Sequence, residues 1–393
     1  MAGELIRADR YMSLNRISFR RIPLNSGVNL WSRWQCLAIL TLLNTYGAFA
    51  QTITLRDSSQ INESIVRFDI DSIELQGGRI LYWWEVHLAD VASDQQELFD
   101  ALLVQVGDPL MRLRTRLRHR DFTNISEIAA ELLDYCGNQP SMTARFAAAA
   151  LCRGEIANQR RESAALALLR TLMIEKQMPT LVENSPLLEL PIAIDKQQWL
   201  VSALLPIWFD ETEAGRVWQE LRNITRWEDE DDPLALLYAA SLAIAAGDKS
   251  TAQSMLENQN IRSTPWSSVL RAQQLIKQGE FAAARLSLPT RFDEVAPAIR
   301  CAYLYHRGIA GLRDVGQHQQ QAILDLLQIP ATLSTEFPEM SAAAIYAVIH
   351  SEPLGNKIAS VESLKRELAQ KYSGTFHAKK MLNQIDLEKS SSR

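Results

Sequence analysis

The feature that most limits the fold is a change of hydrophobic period near residue 90. Residues 52–87 are rich in β-branched and aromatic side chains that alternate in twos. Thr52-Ile53-Thr54-Leu55-Arg56 sets the pattern, and Ile65 to Ile70 and Ser72 to Leu75 continue it. From Asp94 onward apolar residues recur every three or four positions. Alternation places side chains on two faces of a strand, and a 3.6 period places them on one face of a helix. A chain that changes from one to the other builds a small β part and then a long helical part.

The β part spans residues 51–90. Gly77-Gly78 separates Ile73-Glu74-Leu75 from Ile80-Leu81-Tyr82-Trp83-Trp84, which reads as a hairpin. Three to five short strands are expected. So small a sheet is not stable alone. It should close as a tiny SH3-like or Sm-like barrel or pack on the first helix. It loosely resembles the short β module at the start of some exported bacterial proteins.

The helical part spans residues 91–393. Asp94 reads as the N-cap of a helix running to Leu103. Leu110, Leu113 and Leu117 mark a second helix, and Ile128, Ala129, Leu132 and Leu133 a third. Ser141, after Pro140, caps an Ala-rich helix to about Ala157. Helical patterns recur at 161–175, 196–205, 212–224, 233–246, 249–257, 265–278, 280–287, 295–311, 317–328, 338–349 and 358–384. Residues 177–195 hold Pro179, Pro186 and Pro191 and read as a loop and candidate boundary.

Two of these helix pairs repeat. Gly247-Asp248 is followed by Ala252 and Leu256, and Gly279-Glu280 by Ala284 and Leu288. In both, Ala stands five after Gly and Leu nine after, at an offset of 32 residues. Gly with an acidic residue suits a tight turn, the small Ala lets two helices approach, and Leu fills the groove. These segments resemble tetratricopeptide repeats, whose period is about 34 residues. A third copy, with departures, starts at Leu354-Gly355-Asn356 and runs through Ser360, Leu364 and Leu368 to Tyr372 and Ala378. The fold class is therefore mainly α: a TPR-like solenoid of antiparallel helix pairs behind a small β module. The resemblance implies a surface that binds a protein or peptide and carries no chemistry.

Residues 1–50 read as a signal peptide. Six arginines (Arg7, Arg10, Arg16, Arg20, Arg21 and Arg33) precede a short apolar run from Cys36 to Leu43. Ala48-Phe49-Ala50 then places small residues three and one positions before Gln51, which predicts cleavage between Ala50 and Gln51. Translation from Met12 would shorten a long basic region. The expected location is exported, periplasmic or extracellular, with peripheral contact to a membrane or envelope open. The mature chain would keep Cys136, Cys152 and Cys301, in no metal-type spacing. They read as buried free thiols, although Cys136 and Cys152 lie on successive helices and could pair.

No Walker A, GxGxxG, GxSxG, HExxH or calcium-loop pattern occurs, and no two of the six histidines lie on one helix face at i,i+4. No cofactor or metal is implied, and the chain reads as non-enzymatic. The net charge of -5 argues against a general nucleic-acid-coating role. Three constellations admit two readings each. Arg112, Arg114, Arg116, Arg118 and Arg120 recur every second residue. They form either an anion-binding stripe for a glycan, lipid or acidic protein, or a solvated face paired with nearby carboxylates. The run from Glu228 to Asp232 before Pro233 is either a cation or basic-peptide site or an acidic loop capping the next helix. Trp83, Trp84, Trp199, Trp208, Trp218, Trp227 and Trp266 either line a groove or fill the core. Asn62, Asn124 and Asn223 sit in glycosylation sequons, relevant only in a glycosylating host. The leading expectation is an exported interaction scaffold. The alternative is an envelope assembly factor that binds an anionic glycan or lipid through Arg112 to Arg120.

Overall fold

The structure, a computed structural model, describes residues 52–137, 139–178, 186–187, 189, 192–195, 200–201, 203–224, 227, 230–291, 295–314, 318–351 and 358–391. The expected signal peptide with its Ala50/Gln51 junction, Trp199, Glu228, Asp229 and Gly355 lie outside the described residues.

Six short strands open the chain: β1 (Thr52–Leu55), β2 (Gln60–Asn62), β3 (Ile65–Phe68), β4 (Ile73–Leu75), β5 (Ile80–Leu81) and β6 (Val86–Ala89). They form two three-stranded antiparallel sheets, ordered β2-β1-β6 and β3-β4-β5. The Gly-Gly hairpin joins β4 to β5, with Ile73 opposite Leu81 and Gly78 at φ +76°. The strand expected to carry both tryptophans ends at Leu81. Tyr82 to Glu85 form a turn closed by the Glu85 N–H on the Tyr82 carbonyl at 2.9 Å.

The sheets are held by the helices that follow, namely α1 (Gln96–Leu102), α2 (Asp108–Arg118), α3 (Ile125–Cys136) and α4 (Met142–Ala157). A short π-helical stretch, Leu103–Gly107, joins the first two. Gln95, not Asp94, occupies the N-cap position of α1, with no side-chain cap bond. Trp83 is fully buried, 5.1 Å from the Phe99 ring of α1, and its indole N–H donates to the Asp69 carbonyl at 2.7 Å. The Asp71 carboxylate accepts the Met142 and Thr143 N–H groups at 3.0 and 2.8 Å, adding a cap from the β part to the Ser141 cap of α4. One apolar core runs from Ile53 to Ala150, so the sheets are stabilised by burial against helices.

The rest is helical: α5 (Arg161–Gln177), α6 (Glu211–Ile224), α7 (Pro233–Ala246), α8 (Lys249–Glu257), the short α9 (Gln259–Arg262), α10 (Trp266–Lys277) and α11 (Phe281–Ser287). Then come α12 (Pro297–Arg313), α13 (Gln319–Thr332), α14 (Pro338–Ile349), α15 (Ile358–Lys371) and α16 (Phe376–Ser391). Within the pattern expected as a helix at 196–205, the described Leu200–Val201 form a strand, β8, which pairs with β7 (Ile194–Asp195) in a small hairpin, and the Tyr238 hydroxyl is buried and bonded against it. The single helix expected over 358–384 is two helices, broken at Ser373-Gly374.

Consecutive helices pack against one another, and α7 also meets α10, α10 meets α12, and α12 meets α14. This arrangement is compatible with a helical solenoid. The Ala-rich helices are the inner ones. In α7 every residue from Leu234 to Ile244 is buried, as its all-round apolar sequence requires. Small residues set helix spacing: a Cβ on Gly308 of α12 would lie 2.5 Å from Leu326 Cγ of α13.

Candidate functional site

The turns of the helix pairs repeat at atomic detail. Gly247 and Gly279 sit at φ +80° and +81°. The Asp248 N–H bonds the Ala243 carbonyl and the Glu280 N–H bonds the Leu275 carbonyl, both at 2.9 Å. That six-to-one bond with a left-handed residue ends a helix sharply. Ala252 and Ala284 are fully buried, Leu288 is buried and Leu256 half-buried. Of the C-terminal copy, Leu368 is buried and Ser360 exposed on α15.

A further copy escaped the glycine pattern. At the α4–α5 turn the Arg160 N–H bonds the Glu155 carbonyl at 2.9 Å. The left-handed residue is Gln159, at φ +61°. Ala164 stands five after it and Leu168 nine after, and both are fully buried. The Ala and Leu spacing alone would have found this copy had glycine not been required. A non-glycine residue in this conformation is strained by about 1–2 kcal/mol.

Gln159 stands at the lip of a cleft of 340 Å³. The walls come from the α4–α5 turn, the first turn of α5, the segment 203–205 after β8, and residues 335–340, which end the α13–α14 connection and begin α14. The C-terminal helices return to this place. Lys379 donates to the Gln159 amide oxygen at 3.0 Å across 220 residues, and the Phe376 and His377 rings pack on Phe209.

Arg161 lines the cleft and is only 6% exposed. Among the described residues its one hydrogen bond runs from Nη2 to the Leu205 carbonyl at 2.7 Å, and its guanidinium lies 5.5 Å from the Phe209 ring centre. Among the described residues its Nε is buried without a partner, and no carboxylate lies within ion-pair distance. Burial pushes its guanidinium below the ordinary value, opposed by the charges of Glu339 and Glu162. Glu339, on the opposite wall, accepts the Phe376 N–H at 3.3 Å, and burial raises its carboxyl. The neighbouring His377 is buried with Nδ1 unpartnered, and burial, with the nearby Lys380, lowers it to about 3.

The arginines of α2 differ in their surroundings. Arg114 stacks 4.2 Å above the Trp84 ring and reaches the Pro186 carbonyl at 3.4 Å. Arg116 pairs with Asp121 at 2.6 Å and donates to the Thr123 carbonyl. Arg112 and Arg118 are exposed on α2, while Arg120 lies past its end at φ +54°. In the acidic run, Asp232 accepts the Leu234 N–H at 2.9 Å with Pro233 in the first turn of α7, the capping reading. Glu230 is nearly buried against Lys176 at 2.9 Å. Trp83, Trp218, Trp227 and Trp266 are buried in the core; Trp208 bonds Ser241 and Trp84 lies under Arg114.

Cys136, Cys152 and Cys301 are buried free thiols, each raised by burial, the first two to about 12. Among the described residues no cluster of three His, Cys, Asp or Glu is placed to hold a metal, and no helix is long and apolar enough to cross a membrane. No family model, curated protein or solved structure matches this chain.

Proposed function

We propose that the chain works by binding, as an exported interaction scaffold whose tetratricopeptide-like hairpins hold a protein or peptide partner. The observation that carries this reading is the recurrence of one turn and one packing pair at Gln159, Gly247 and Gly279. Stacked copies of one hairpin make a surface on which neighbouring helices present side chains in register, which suits extended partners. The signal-peptide pattern ending at Ala50 supports export. The test is reversible crosslinking of the full chain in its native cells, with fractionation and N-terminal sequencing. The reading expects a start at Gln51, an envelope or external location, and the same protein partner in each replicate. An intact N-terminus in the cytoplasm with no partner would contradict it.

A second reading, an envelope factor that binds an anionic glycan or lipid, draws on the exposed Arg112, Arg118 and Arg120, which have no ion pair among the described residues. Two of the five original arginines are already engaged by Trp84 and Asp121. Sedimentation with anionic vesicles, lost on neutralising those three residues, would favour it over the scaffold.

A further inference from the structure

The cleft at the α4–α5 turn is lined by a buried guanidinium that has no ion pair among the described residues. A guanidinium offers five N–H donors in a planar fork suited to a carboxylate. Arg161 uses its fork for a single carbonyl, is almost wholly buried, and has no carboxylate within ion-pair distance among the described residues. A buried charge of this kind is unfavourable unless something pairs with it. The same cleft carries the opposite sign, in Glu339 of the first turn of α14 and the exposed Glu336 just before it. Ile156, Leu204, Phe337 and Met340 also line it. A volume of 340 Å³ suits a small molecule and is too small for a helix.

Gln159 adds an independent observation. Of the turns that make the same six-to-one bond, those at Gly247 and Gly279 use glycine, with nothing within 4 Å of an added Cβ, while that at Arg120 does not. Gln159 keeps a side chain at the strained position, and that side chain lines the cleft. Backbone strain held where glycine would be easier is a recurring mark of a functional position.

We propose that this cleft binds a small zwitterion with an apolar body: Arg161 takes its carboxylate, Glu339 its ammonium, and Gln159 closes the rim. The chemistry is that of an apolar α-amino acid, free or as the two ends of a dipeptide. This site lies at one of the repeated turns, but its chemistry does not depend on the scaffold reading. Because the bound molecule touches both α5 and the α13–α14 connection, it ties the C-terminal helices to the middle of the chain.

The full-length protein is titrated calorimetrically with L-leucine, L-phenylalanine and the dipeptide leucyl-leucine. Leucinamide, which lacks the carboxylate, and 4-methylpentanoate, which lacks the amine, serve as comparisons. The expected result is saturable binding of either the amino acids or the dipeptide, which identifies the source, with at least tenfold weaker binding of both comparison compounds. Arg161→Met and Glu339→Gln should each weaken binding at least tenfold. Arg161→Lys stands in if Arg161→Met fails to fold. Gln159→Gly should leave the unfolding temperature unchanged or raised while it weakens binding several-fold, a split that a purely structural glutamine would not show. No binding of any of the three zwitterions, or equal binding in the Arg161 and Glu339 variants, would overturn the proposal.

Discussion

Replacing Gly247 or Gly279 with alanine isolates the backbone contribution to the hairpin turn. Both residues sit in the left-handed region, at φ +80° and +81°, and an added Cβ would meet no atom within 4 Å at either place. Sterics from the rest of the protein therefore contribute nothing. What remains is the intrinsic cost of the left-handed conformation for a residue with a Cβ, about 1–2 kcal/mol. A change of that size shifts a local opening equilibrium by a factor of about 5–30. The assay is hydrogen exchange read by mass spectrometry on peptides covering α7–α8 and α10–α11. Each alanine variant should speed exchange in its own pair by that factor, and the two effects should agree within about 0.5 kcal/mol. Asparagine, which tolerates the left-handed region, should give a smaller effect at both sites. No change in either variant, or a tenfold difference between them, would refute the equivalence of the two turns.

Other consequences follow from buried charge and burial. Arg307 clamps the nearly buried Asp325 with bonds of 2.6 and 2.8 Å between α12 and α13. Arg307→Met should lower stability by about 3–5 kcal/mol, and adding Asp325→Leu should restore most of it, measured by chemical denaturation. His306 and His377 are both held down to about 3 by burial and stay neutral in the fold. Their folded values lie below the unfolded value of 6.5, so the unfolded chain binds more protons as the pH falls. Stability is therefore full above about pH 6.5 and declines toward pH 3, by up to about 1.4 kcal/mol per pH unit for each histidine. His377→Asn should flatten that decline in a pH series of unfolding curves. Finally, Cys136 and Cys152, raised to about 12 by burial, should not react with a thiol reagent until the protein is unfolded, whereas rapid labelling of the native protein would place them at the surface.

Much of the helical layout was legible because its signals are local. Ser141, Pro233, Pro338 and the Gly-acidic pairs mark ends that the structure keeps, and α7, α8 and α14 have the expected bounds. The misses have physical reasons. Leu200 and Val201 carry an apolar pattern that suits a helix, but pairing with Ile194-Asp195 and the Tyr238 hydroxyl decides for a hairpin. The arginines of α2 looked like a stripe because spacing reveals a face but not what rests on it. Trp84 and Asp121 take two of them. The cleft was invisible because Arg161 and Glu339 are far apart in the chain and only the fold brings them to one place. The Gln159 turn was not legible because its left-handed residue is not glycine, which that conformation favours but does not demand.

The central claim, that the repeated hairpins form the binding surface, is tested by site-specific photocrosslinking in native cells. Leu286, 80% exposed on α11, and Ser254, its counterpart seven residues after Gly247 on α8, carry the photoreactive residue, and Val66 in the β part serves as comparison. The account predicts one shared protein adduct at Leu286 and Ser254 and none at Val66. An adduct at Val66 alone, or none at the two hairpin positions, would contradict it.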